Sequence, residues 1–428
     1  MRPIILRLAW KSLGNRRLSS LIAMISMTLS TALVLGVYRL GRGVQTSFSS
    51  TLSGTDLIVG ARGGSLELLL YSVFHLGQAT NNVRMSSYDY FTKHPAVEWT
   101  IPLSMGDSYR GHRVVATNQG FFDHYRFHGD QALAFAEGQS FGGTLELVAG
   151  AEAARDQQLR LGQQIALSHG LGDERVSGSA LVHRDKPFVV KGILERTGTP
   201  IDKSLYISLE GMEAIHSGWV EGRPPQSSSS EGFNMSELPS EALAPTQITS
   251  FLVGAKSRVA VLHLQREIAL YEGEALTAVI PGLALSELWQ KLSYFEEALG
   301  VILLVVLVLA FMGILLSLFA SLSERRREIA LLRTVGARPH QILLLLMSES
   351  LLLTVQGTFC GVGLAALSQF ALAPWISREF GVSLAPGLLS GTELSIALAV
   401  IVVSPWIGLF PAWRAYKQSL AYDLLQRQ

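Results

Sequence analysis

Two histidines stand four residues apart in His124-Tyr-Arg-Phe-His128, a spacing that puts both imidazoles on one face of a helix and suggests zinc chemistry. A metalloprotease helix would carry a glutamate between them, and no carboxylate or cysteine cluster completes a ligand set nearby. No metal is expected, although nine of the ten histidines fall between residues 41 and 298. Nucleotide hydrolysis would need a Gly-x4-Gly-Lys-Ser/Thr loop, whose amides and lysine hold phosphates, and these residues contain none. The spans hold no series of histidines and aspartates of the kind that proton pumps use. No catalytic and no cofactor-binding residue is expected.

The chemistry on offer is of contact and motion. In Ser323–Ile342, Ile329, Leu332 and Val335 share one broad helical face, Arg326 and Arg333 border it, and Gly336 followed by Pro339 is a stop signal. This is a short amphipathic helix at a membrane surface. Farther on, Gly357 and Gly361 form a small-x3-small pair that lets two membrane helices approach closely. Glu349 lies one or two turns into the same apolar run, where a carboxylate is costly and should face protein, water or a basic partner.

The elements that carry these groups follow from hydropathy. Hydrophobic residues are 48% of the 428 and charged ones 16%, and the apolar excess is gathered into long runs. Four runs are long enough to cross a hydrocarbon core, which takes about 20 helical residues: 18–40, 299–320, 342–372 and 394–411. The first is too long for the core of a cleaved signal peptide. Arginine and lysine crowd the segments 1–17, 321–341 and 412–428, whereas the short 373–393 segment has Arg378 alone. By the positive-inside rule both termini and the middle loop face the cytoplasm, and 41–298 lies outside. Net charge is +1, with no basic stretch interleaved with aromatics, so no nucleic-acid partner is expected. The single cysteine, Cys360, reads as a small buried hydrophobe.

The outer region 41–298 reads as an α+β module. Arg113–Thr117, Phe188–Ile193, Leu205–Leu209, Ser250–Ala255 and Leu276–Ile280 are strand-like; Leu145–Leu161 and Val259–Leu270 are the best helix candidates. The stretch 223–244, with Pro224-Pro225 and Ser227–Ser230, is too polar to order itself and reads as a mobile loop.

With this organisation, Glu324-Arg-Arg-Arg-Glu-Ile-Ala-Leu-Leu-Arg-Thr-Val-Gly-Ala-Arg-Pro-His-Gln-Ile342 resembles the coupling loop of the FtsX/MacB-like (type VII) ABC transporter permeases. The entry Leu8–Arg17, the outer stretch Gly192-Ile-Leu-Glu-Arg-Thr-Gly-Thr-Pro-Ile-Asp202 and the exit Pro411–Tyr416 are similar too. The resemblance implies four transmembrane helices with a MacB-like periplasmic core domain between the first two, in the bacterial inner membrane. It implies a permease homodimer in membrane lipid, driven by a separate LolD/MacB-like ABC ATPase that binds ATP and Mg and docks on Arg326, Glu328, Ile329, Leu332, Arg333 and Gly336. The implied activity is MacB/LolCDE-like export or extraction by mechanotransmission, with a periplasmic adaptor or substrate protein as a further partner. An FtsX-like signal transducer controlling a periplasmic enzyme is the alternative, though that outer domain is usually smaller.

Overall fold

The computed structural model describes residues 2–170, 182–183, 186–217, 243–324, 338–380 and 389–425. They divide into two compact units, one of residues 1–43, 293–376 and 384–428, the other of 44–292 with 377–383.

In the first unit the long apolar runs are helical, because within hydrocarbon a helix satisfies its own backbone hydrogen bonds. Among the described residues four helices are long and apolar enough to cross a membrane: Arg17–Ser49, Pro281–Ala320, His340–Ile376 and Gly391–Phe410. The helices that contain them run for 34, 44, 42 and 35 residues, well beyond the length needed to span. The third continues through Pro374 to Phe380. A separate helix, Arg2–Asn15, precedes the first span.

The second unit is built on an eleven-stranded sheet. In chain order its strands are β1 (Leu57–Ala61), β2 (Val97–Tyr109), β3 (His112–Thr117), β4 (Phe135–Gly138), β5 (Glu146–Ala149), β6 (Gln164–Ile165), β7 (Ser168–His169), β8 (Phe188–Leu194), β9 (Leu205–Ser208), β10 (Ser250–Ala255) and β11 (Leu276–Val279). The main path runs β11-β1-β10-β2-β3-β9-β5-β8-β4, with β7 on β2 and β6 on β8. Both faces of the sheet are covered. Leu57, Val59, Val114, Leu147, Leu205, Ile207 and Phe251 enter one core, whereas Ile58, Val115, Val148, Tyr206 and Leu252 enter the other. This is the two-residue alternation of a strand with both faces buried, and it explains why these strands read as continuous apolar runs.

Three local expectations are corrected. Leu145–Leu161 is not one helix: Glu146–Ala149 is a strand parallel to β8, and only Ala151–Asp156 is helical. Leu147, Val148 and Ala149 suit a position between β8 and β9, where both faces are buried, and that tertiary pairing overrides local helical preference. His124 and His128 do not share a helix face, since the helix Gly120–His124 ends there and His128 has φ 46°. Cys360 is exposed on the flank of the third span rather than buried. Most of 223–244 lies outside the described residues.

Gly150 turns the chain from β5 into the following helix beneath a tight crossing. A Cβ there would lie 2.2 Å from the Ile201 carbonyl oxygen and 2.6 Å from that of Asp202. Gly150→Ala is expected to cost about 1–3 kcal/mol through overpacking, lowering the Tm of the purified chain by several degrees. Gly106→Ala, whose Cβ meets nothing within 4 Å, should stay within about 0.5 kcal/mol of the parent.

Candidate functional site in the spanning helices

The coupling positions Arg326, Glu328, Ile329, Leu332, Arg333 and Gly336 lie outside the described residues. The helix that follows them is described, and it carries the other residues singled out from sequence.

Gly357 and Gly361 face the first span at backbone distance. A Cβ on Gly357 would sit 2.7 Å from Met27 Cβ and 3.3 Å from the Met24 carbonyl oxygen; one on Gly361 would sit 2.7 Å from Thr31 Cβ and 2.9 Å from the Thr28 carbonyl oxygen. Hydrocarbon gives helices no hydrophobic reason to associate, so close van der Waals contact between small residues must supply much of the attraction. Two more helix pairs extend the bundle. Ser30 Oγ donates to the Val306 carbonyl of the second span at 3.5 Å. Gly408 of the fourth span approaches Leu346 and Met347 of the third, and buried Ser350 Oγ donates to the Ser404 carbonyl at 2.6 Å.

Glu349 is 1% exposed, beside fully buried Ser350 and one turn before fully buried Thr354. Its carboxylate is therefore inside the protein rather than in lipid, as the cost of charge in hydrocarbon requires.

Sequence reasoning missed a strongly bonded polar group of this unit. Arg39 of the first span donates through Nε to Glu393 Oε1 at 2.6 Å and through Nη2 to Oε2 at 3.3 Å, while Nη1 donates to Gln369 Oε1 of the third span at 2.7 Å. Glu393 also closes the N-terminus of the fourth helix. Its carboxylate accepts the Ser390 N–H at 2.8 Å and Ser390 Oγ accepts the Glu393 N–H at 3.3 Å, a capping box. One guanidinium thus ties three helices through fork-shaped hydrogen bonding that lysine could not reproduce. Ser390-Gly-Thr-Glu393 is legible as a cap in the sequence, but nothing there assigns it Arg39.

In the inter-span unit, the Gly192–Asp202 motif is a built turn. Buried Asp202 accepts the N–H groups of Thr197 and Gly198, both at 2.8 Å, and the Thr197 hydroxyl at 2.8 Å. Burial raises the Asp202 pKa and outweighs these donors. Arg196 reaches buried Glu152 at 3.1 Å. The role is architectural. Gly138-Gln-Ser140-Phe-Gly142 fits the Gly-x-Ser-x-Gly pattern of hydrolase nucleophiles, but it follows β4 without entering a helix, and Ser140 Oγ accepts from the Gln119 amide at 2.7 Å. His124 stacks on Trp99, ring centroids 5.5 Å apart. The imidazoles that do converge are His169, His183 and His216, around Asp107.

Arg39 and Glu393 are 11% and 5% exposed at their side chains. Arg39→Ala or Glu393→Gln alone strands a buried charge or its partners and is expected to cost about 3–5 kcal/mol. The double variant should lose distinctly less than the sum of the singles. Thermal melting in detergent closes this cycle, and strictly additive losses would refute the pairing.

Residues 20–269 match the MacB-like periplasmic core domain, and residues 300–420 match the FtsX-like permease C-terminal domain. The macrolide export ATP-binding/permease protein MacB of Rhodospirillum rubrum is 28% identical over 227 residues, 52% of this chain and 31% of that protein, so the chain spans about a third of this relative's length. Two solved structures bear a partial likeness. The periplasmic region of MacB from Actinobacillus actinomycetemcomitans matches at 11% identity and TM-score 0.33, over 57% of this chain and 94% of that one. The extracellular domain of the noncanonic ABC-type transporter YknZ from Gram-positive bacteria matches at 12% identity and TM-score 0.29, over 53% and 98%. The two domain matches, one to the first span with most of the inter-span unit and one to the last three spans, place the chain in the FtsX/MacB-like family of ABC transporter permeases.

Proposed function

We propose that this permease transmits force rather than conducting a substrate through its helices. An ABC ATPase outside these residues, loaded with ATP and Mg, docks on residues 324–336 at the cytoplasmic face. Its closure displaces the third span, and the first and second spans relay the movement to the extracytoplasmic domain. The chain works as a homodimer in the bacterial inner membrane, with both termini cytoplasmic, and exports or extracts a substrate at the outer face together with a periplasmic adaptor or substrate protein.

The observation that carries this reading is the contact between the third and first spans. The helix that leaves the docking loop is locked to the helix that enters the outer domain, at backbone distance by Gly357 and Gly361 and again by Arg39 on Gln369. A displacement of one helix cannot then be absorbed by side-chain slack, because close-packed interfaces switch between arrangements rather than deform continuously.

Docking and relay separate experimentally. Replacing Glu328 and Leu332 together with alanine is expected to abolish co-purification of the ATPase. Gly361→Leu is expected to keep the ATPase bound while lowering permease-dependent hydrolysis about tenfold or more. Retention of the complex by the first variant would reject the docking helix; undiminished hydrolysis in the second would reject the relay. Orientation has its own check: in a Cys360→Ala background, a cysteine at Ala330 should react only with reagents admitted to the cytoplasm.

A further inference from the structure

Asp107, His169, His183 and His216 bring one ligand atom each into a group whose members all lie within 4.8 Å of one another. They come from separate parts of the inter-span unit. Asp107 is on β2, and His169 on β7 is its register partner across the antiparallel ladder. His183 follows Val182, which bridges back to Ser168, and its backbone N–H donates to the Leu167 carbonyl at 2.8 Å. His216 ends the helix Leu209–His216. Buried Lys186 fixes that helix end: its ammonium donates to the carbonyls of Ala214 at 2.7 Å and Ser217 at 2.9 Å, a cation where the helix dipole is negative.

The spacing of the ligand atoms of His169, His216 and Asp107 is close to what an ion would impose, and His183 stands slightly farther out. A tetrahedral zinc-class ion with bonds of about 2.0–2.1 Å sets neighbouring ligand atoms about 3.3 Å apart. His169 Nδ1 lies 3.1 Å from His216 Nε2 and 3.2 Å from Asp107 Oδ1, and His216 Nε2 lies 3.5 Å from the same oxygen. His183 Nε2 lies 3.7 Å from Asp107 Oδ2. The rings meet at 77°, 82° and 85°, so the three imidazoles are not stacked on one another. His216 Nδ1 faces the Met212 carbonyl at 2.8 Å. With the ring N–H committed there, Nε2 offers its lone pair to the cluster, as metal-bound histidines do.

We propose that these four residues bind a zinc-class divalent cation, through His169 Nδ1, His183 Nε2, His216 Nε2 and an Asp107 oxygen. Three imidazoles and one carboxylate are borderline donors that suit such an ion. The Asp107 and His183 side chains are fully buried, whereas those of His169 and His216 keep 39% and 29% exposure. The site is therefore closed behind and open on one edge, which gives the ion its way in. A bound ion would join β2 and β7 to the Leu209–His216 helix. The site lies wholly within the inter-span unit and stands independently of the force-transmission reading.

The test uses the full chain in detergent, stripped with chelator and titrated with zinc. One zinc per chain should survive gel filtration by elemental analysis, and zinc should raise the Tm, since an ion that binds only the folded state stabilises it. His169→Ala and His216→Ala, at the two exposed positions, should weaken binding at least about tenfold and abolish the Tm rise. His263→Ala, on an exposed helix face, should change neither. Melting each variant without zinc separates loss of a ligand from loss of the fold. Cobalt(II) in the unaltered chain supplies a measurement that needs no variant: tetrahedral visible bands are expected. The site is overturned if the stripped chain takes up no stoichiometric zinc, if cobalt gives no tetrahedral spectrum, or if His169→Ala and His216→Ala bind as tightly as the parent.

Discussion

The membrane unit depends on the approach of two helix backbones where Gly357 and Gly361 meet Met27, Thr28 and Thr31. In water an apolar helix face is driven to any other apolar face. In lipid that drive is missing, and association rests on the van der Waals contact and hydrogen bonds that close approach permits. Other contacts carry the unit outward from this seam, Ser30 to the second span and Ser350 to the fourth. The Ser30 and Ser350 hydroxyls can reach carbonyls of neighbouring helices because the backbones are near, and Arg39 can reach two helices from a third.

How much of this was legible in the sequence depends on the range of the interaction that decides it. The spans are legible because bilayer thickness imposes a length on each apolar run independently of the rest of the fold. The glycine pair is legible because its spacing follows from the helix itself. Partners are not: Arg39 and Glu393 are separated by 354 positions, and only the packed bundle joins them. Glu146–Ala149 was misread for the same reason. Its apolar residues fit a helix as well as a strand, and the choice is made by β8 and β9 on either side. The histidine cluster is the extreme case, since its ligands come from four separated places while the local pair His124 and His128 diverges.

The glycines of the inter-span unit show how a long-range constraint can leave a local mark. Gly150 and Gly192 sit where a Cβ would lie 2.2 and 2.3 Å from carbonyl oxygens of other segments. Each marks a crossing of two backbones, Gly150 against Ile201 and Asp202 and Gly192 against Gln139.

Buried charge connects the two units by a common rule, because an ion removed from water must be repaid by partners at hydrogen-bond distance. Glu393 has Arg39 and the N-terminus of its own helix; Lys186 has the carbonyls at a helix end; Asp202 has the N–H groups of a turn. Asp107 differs in the kind of partner it meets. Burial works to raise its pKa, and imidazoles, which are titratable groups, overcome that and lower it. At His216 burial works to lower the pKa, and the neighbouring Asp107 reverses it. The two shifts express one mutual stabilisation of opposite charge within the cluster. In the proposed site a divalent cation at the common centre would set positive charge against Asp107 and use the lone pair that the Met212 carbonyl leaves on His216.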